Sequence, residues 1–219
     1  MRGSGGTFLL IIIIVGLVLG TLILKSPKAT ESNSSANQTA QATQAPAGAP
    51  ADPSVVNRDS APIEGSKDAK VKIVVFSDFL CPYCKNLHAT LNKILDDNSG
   101  KVSVEYRSFI VHPDAKILHQ AAEAANNQSK FKEMADLLFG DEAVSPNEDA
   151  IVAAAQKIGL NVDKFKSNLN SKDVQDKIDA DNAAAQKLGL GGTPSLFVNN
   201  LPFQNSAQLE DQIKAEIDK

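Results

Sequence analysis

Residues 71–85 read Val-Lys-Ile-Val-Val-Phe-Ser-Asp-Phe-Leu-Cys-Pro-Tyr-Cys-Lys, and this stretch decides the fold. Val71–Phe76 is almost wholly apolar and rich in β-branched residues, which predicts a central strand buried on both faces. A turn with two cysteines follows. A helix then opens, because Cys84, Leu87, Leu91 and Ile94/Leu95 recur at helical spacing and form one buried stripe. That stripe places Cys84 on the packed face. Cys81 falls at the helix N-terminus, where backbone N–H groups lack intrahelical partners, and Pro82 suits the first helical position. A thiolate there is stabilised by those N–H groups and by the helix dipole, so its pKa drops. Cys81 is the expected exposed nucleophile, and Cys84 the shielded partner that resolves a mixed disulfide.

Other uses of a C-x-x-C turn fit less well. Haem attachment needs His directly after the second cysteine, where Lys85 stands. A zinc site needs further ligands, and only His88 is near. A purely structural disulfide across so short a loop restrains little entropy in the unfolded chain. Strand, turn and helix together favour redox chemistry, with no metal expected. His88, His112 and His119 read as packing or surface residues, Lys85 as solvated, and Asp78 as a polar strand end.

Working outward, Val102, Val104 and Tyr106 alternate with Ser103, Glu105 and Arg107 in a second strand. Ser195–Val198 forms a third. Asn199-Asn200 supplies a tight turn into Leu201-Pro202-Phe203, an edge strand because of its proline. Between the second and third strands helical periodicity dominates. Gly140, Gly159 and Gly189 stand where helices stop, and Ser145-Pro146-Asn147-Glu148 reads as a capping box. A last helix carries Leu209, Ile213 and Ile217. The expected class is an α/β sandwich with a helical insertion over about 113–190.

The rest of the chain is of two other kinds. Phe8–Leu24, FLLIIIIVGLVLGTLIL, carries no charge and as a helix would rise about 25 Å, close to the lower limit for a membrane span. No small-x-small cleavage site follows it directly, so residues 1–25 read as an uncleaved anchor rather than a signal peptide. Residues 26–60 are rich in Ser, Ala, Asn, Gln, Thr and Pro, and read as a disordered, flexible linker. Residues 61–219 form the folded domain. The chain holds 22 basic and 26 acidic residues, a net charge of −4, which argues against nucleic-acid binding. Its 2 cysteines cannot build a disulfide-dense scaffold.

From the cysteine turn, the Gly191-Gly192-Thr193-Pro194-Ser195-Leu196-Phe197-Val198-Asn199 segment and the helical insertion, the sequence resembles the DsbA-like thiol:disulfide oxidoreductases of the thioredoxin superfamily. The resemblance implies a thioredoxin-like three-layer sandwich. It implies Cys81 and Cys84 as the catalytic pair, needing no cofactor beyond their own redox-active disulfide. It implies that Pro82 and Tyr83 tune the reduction potential, and that Thr193 and a cis Pro194 line the groove for an extended peptide. Cysteine-containing proteins would be the substrates and a quinone-linked membrane enzyme the re-oxidant. The family's buried glutamate six residues before the first cysteine is replaced by Val75, which leaves proton transfer at Cys84 to water or another group. Disulfides persist outside the cytoplasm, so the domain is expected there, with the N-terminus inside and the membrane anchor between. The leading expectation is a dithiol oxidase. The alternatives are a reductase or isomerase using the same pair, or a non-enzymatic tethered module that binds peptide or metal.

Overall fold

The computed structural model describes residues 49–142 and 144–219. The anchor expected over 1–25, and most of the linker expected over 26–60, lie outside the described residues. Among the described residues no helix is long and apolar enough to cross a membrane.

Five strands, β1 (Ile63–Gly65), β2 (Val71–Ser77), β3 (Val102–Ser108), β4 (Ser195–Val198) and β5 (Leu201–Phe203), form one mixed sheet in the order β1-β3-β2-β4-β5. β2 and β3 run parallel, and the other pairs are antiparallel. The parallel pair is joined by helix α2 (Pro82–Asp97), the crossover that parallel strands require. Strand β2 is central and buried on both faces. Val71, Ile73 and Val75 enter one apolar cluster with Leu87, Leu91 and Ile94 of α2. Val74 and Phe76 enter another, on the opposite face, with Phe197. This period-two split is why the sequence of β2 shows no polar side.

The insertion comprises α3 (Lys116–Asn126), α4 (Phe131–Leu138), α5 (Glu148–Lys157), α6 (Val162–Leu169) and α7 (Lys172–Lys187), and α8 (Leu209–Asp218) closes the chain. Gly159 and Gly189 end α5 and α7 with φ of 74° and 65°, conformations in which a Cβ is strained. Asn199 and Asn200 both take positive φ and turn β4 tightly into β5. The capping signal before α5 is displaced. Asn147, not Ser145, is the N-cap and accepts from the Ala150 amide. The thioredoxin-like α/β fold with a mixed sheet and helices stands as expected.

The linker boundary requires correction. Residues 51–60 pack on the domain rather than extending the spacer. A short helix, α1 (Pro53–Val56), is capped by Asp52 and buries Val55 and Val56, the latter against β2 and α7. The Ala51 amide donates to Asn200 O at 2.9 Å. Arg58 reaches Asp181 at 2.9 Å and Glu123 at 2.5 Å. A composition window cannot see partners this far away along the chain.

Candidate active site

The site lies where β2 ends and α2 begins. Cys81 is the N-cap of α2 with extended backbone, and Pro82 is its first residue. Both thiols are free. Cys84, one turn on, is 2% exposed. It packs with Cys81, Phe139 and Phe79 in a small apolar cluster of its own. Cys81 is also more enclosed than expected, at 6% exposed. The physical reason is long-range: the Thr193 carbonyl closes to 3.4 Å from its sulfur, and Phe139 covers another side. Leu80, Tyr83 and Val111 are three of the exposed large apolar residues of the described chain. Leu80 and Tyr83 flank Cys81 in sequence, and the Val111 amide donates to Asp78 at 2.8 Å.

The two sulfurs differ sharply in electrostatics. Cys81 is lowered from 9.0 to about 5. The Cys84 thiol donates to its thiolate, the Thr193 hydroxyl supports it, and the backbone amides of Cys84 and Tyr83 at the helix start complete the set. Burial opposes them and loses. Cys84 moves far above the ordinary thiol range, first because its proton bonds to Cys81 and then because burial penalises its anion. At neutral pH the pair therefore holds one proton, on Cys84.

The surroundings hold these groups in place. The Asp78 side chain is fully buried. Its carboxylate accepts from the amides of Leu80, Val111 and His112 at 2.8, 2.8 and 2.9 Å, which pins the cysteine turn to the segment after β3. Asp78 is thus a staple rather than a loose strand end. Lys85 is not merely solvated: it bonds to Gly140 O and Asp141 beyond α4. His88 packs on Phe139 and bonds to Asp136 at 2.7 Å. The Thr193–Pro194 peptide is cis, as the resemblance implies, and both residues are buried beside Cys81. Among the described residues no group of His, Cys, Asp and Glu could hold a metal.

His119 is a packed residue, in keeping with the sequence reading. It is buried on α3 with Nδ1 3.0 Å from the Ser108 hydroxyl, and its ring stacks on Phe79 at 4.8 Å. The alternation of its helix marks it as inward-facing, and no local pattern ties it to the cysteines.

Comparison with known proteins adds context to this geometry. Residues 58–219 match the family model described as thioredoxin. A probable disulfide bond formation protein D of Bacillus cereus is 32% identical over 168 residues, covering 71% of this chain and 76% of that protein. A Na(+)/H(+) antiporter NhaA 1 of Salinispora arenicola is 31% identical over 157 residues, covering 71% of this chain. This chain spans only 24% of that antiporter's length. Among solved structures, a thioredoxin-like oxidoreductase from Silicibacter pomeroyi superposes with a TM-score of 0.67 at 28% identity, covering 77% of this chain and 99% of that one.

Proposed function

The chain belongs to the thioredoxin family, and from that premise we propose that it is a thiol:disulfide oxidoreductase working through Cys81 and Cys84. The observation that carries this reading is the asymmetry of the pair: one sulfur ionised near pH 5 at a helix N-terminus, its neighbour protonated and buried. Cys81 attacks or is attacked, because the thiolate is the reacting species. Cys84 resolves the mixed disulfide. Thr193 and Pro194 form one wall of the substrate groove, and an extended peptide adds to the strand edge there. Leu80, Tyr83 and Val111 offer an apolar surface for a cysteine-containing protein that is not yet folded. Pro82 and Tyr83 set the environment of the pair from within the turn.

The direction is oxidation of dithiols. Stabilising the Cys81 thiolate stabilises the reduced enzyme, which makes its disulfide the stronger oxidant. The reaction needs no cofactor beyond the disulfide, and a membrane re-oxidase of the quinone-linked kind would restore it. The apolar run Phe8–Leu24 supports a membrane-held, extracytoplasmic placement. Cys81→Ala should abolish turnover of disulfides in a reduced–oxidised protein pair, and unchanged turnover would rule out the enzyme reading. A reduction potential as low as thioredoxin's, about −270 mV, would reverse the direction and make the protein a reductase.

A further inference from the structure

The resolving step obliges Cys84 to lose its proton while buried, and Val75, 1% exposed, offers no acid beneath the pair. Next to the cysteine turn lies a small pocket of about 20 Å³, bordered among others by Ser77, Phe79, Ser108, His119 and Glu123. That volume suits a single water. Ser77 connects this space to the reaction, since its hydroxyl bonds to the Cys84 sulfur. His119 stands on another wall, with Nδ1 engaged by Ser108 and Nε2 buried without a protein partner. Ser77 and Ser108 are register partners on the parallel strands β2 and β3, so they sit side by side at the same end of the sheet.

We propose that Ser77, one water in this cavity and Nε2 of His119 form the proton path of Cys84, with His119 as a positioning residue acting through Ser77. This inference rests on the oxidoreductase reading above. In the resolving step the Cys84 S–H bond breaks, and its proton passes by way of Ser77 Oγ and the water to His119 Nε2. The Cys84–Cys81 S–S bond forms and the bond from Cys81 to the partner sulfur breaks. The partner leaves as a thiolate with the electron pair, so the enzyme pair is oxidised and the partner reduced. The reverse step returns the proton along the same atoms.

The charged surroundings allow a proton to visit His119 without trapping it. Burial holds the imidazole down at about 4, while the Asp78 carboxylate pulls the other way. From its own helix Glu123 faces the same space, its carboxyl raised by burial and paired to Arg58. From β3 come Tyr106 and Arg107, and from the loop before α3 comes His112, paired to Asp78 at 3.2 Å. A neutral imidazole with a free ring nitrogen is thus the resting state.

The test separates the two steps in the full-length reduced chain. An aryl disulfide of thionitrobenzoate is added, and stopped-flow absorbance follows first the attack by Cys81 and then release of the second coloured thiolate by Cys84. In His119→Leu and Ser77→Ala the first step should keep its rate, while the second slows by about 100-fold, the scale of a lost general base. The pH profile is decisive. The wild-type second step should be nearly flat from about pH 5 to 8, and in either variant it should rise about tenfold per pH unit because hydroxide must take the proton. Ser77→Ala removes one hydroxyl and decides the matter should His119→Leu fail to fold. A second step with wild-type rate and a flat profile in Ser77→Ala would overturn the path. Loss of the first step in the wild-type chain would instead overturn the oxidoreductase reading itself.

Discussion

At the C-terminal end of β2, Cys81 and Cys84 are buried with one proton between them, held on Cys84. Beneath β3, four charged side chains, Glu105, Arg107, Glu123 and Asp181, are buried as well, beside a half-buried Arg58. There Arg58 and Arg107 converge on Asp181 at 2.9 and 2.6 Å, Arg58 also takes Glu123, and the Arg58 amide donates to Glu105 at 2.8 Å. Arg107 further donates to the Val56 carbonyl and lies 5.1 Å over the Phe76 ring, and the Ser108 amide donates to the second Asp181 oxygen at 2.9 Å. Both regions put polar atoms out of water, and they do so to opposite ends. In the charge cluster almost every lone pair and N–H has a partner, so the groups lock the N-terminal segment, β3 and α7 together. In the cysteine site the balance of donors and burial ionises one sulfur and keeps the other protonated. Saturation makes a clamp; asymmetry makes a reactive centre.

The largest effect that would sharpen this contrast is on stability. Asp181→Ala strands two guanidinium groups in a buried setting and should cost about 3–5 kcal/mol in urea unfolding. The Cys81 alkylation midpoint should not move, and a moved midpoint would mean the two regions are electrostatically joined. Asp78→Ala comes next. It leaves three amides without their acceptor and should cost about 1–3 kcal/mol, together with a faster, less selective reaction at Cys81 as the turn loosens. Thr193→Val is the smallest. It removes one hydroxyl that supports the thiolate, so the Cys81 midpoint should rise slightly with stability unchanged. A large rise would mean that the loop carbonyl had moved too.

The cysteine region was legible because its determinants are local. Strand, turn, N-cap cysteine and buried stripe all lie within residues 71–95, and short-range periodicity specifies them. The Asn199-Asn200 turn was legible for the same reason. The clamp was not. The alternation of β3 presents Glu105 and Arg107 as a solvent face, and only α1, Arg58 and Asp181, distant along the chain, turn that face into an interior. The same limit hid the enclosure of Cys81, which depends on Thr193 and Phe139 far from it in sequence, and the cavity beside His119. Interactions between residues from about forty to more than a hundred positions apart leave no period to read.

The account turns on the ionisation of Cys81. Its folded value is lowered, so the stabilisation of the reduced protein is fully present above the ordinary thiol value of 9.0 and is lost as pH falls through about 5. The stability of the reduced form relative to the oxidised form should therefore grow as pH rises across that window. The direct measurement is the rate of alkylation of Cys81 in the reduced full-length chain as a function of pH. A half-maximal rate near pH 5 is predicted, with Cys84 inert throughout. A single midpoint near pH 9, or equal reactivity of the two thiols, would contradict the asymmetry from which everything else follows.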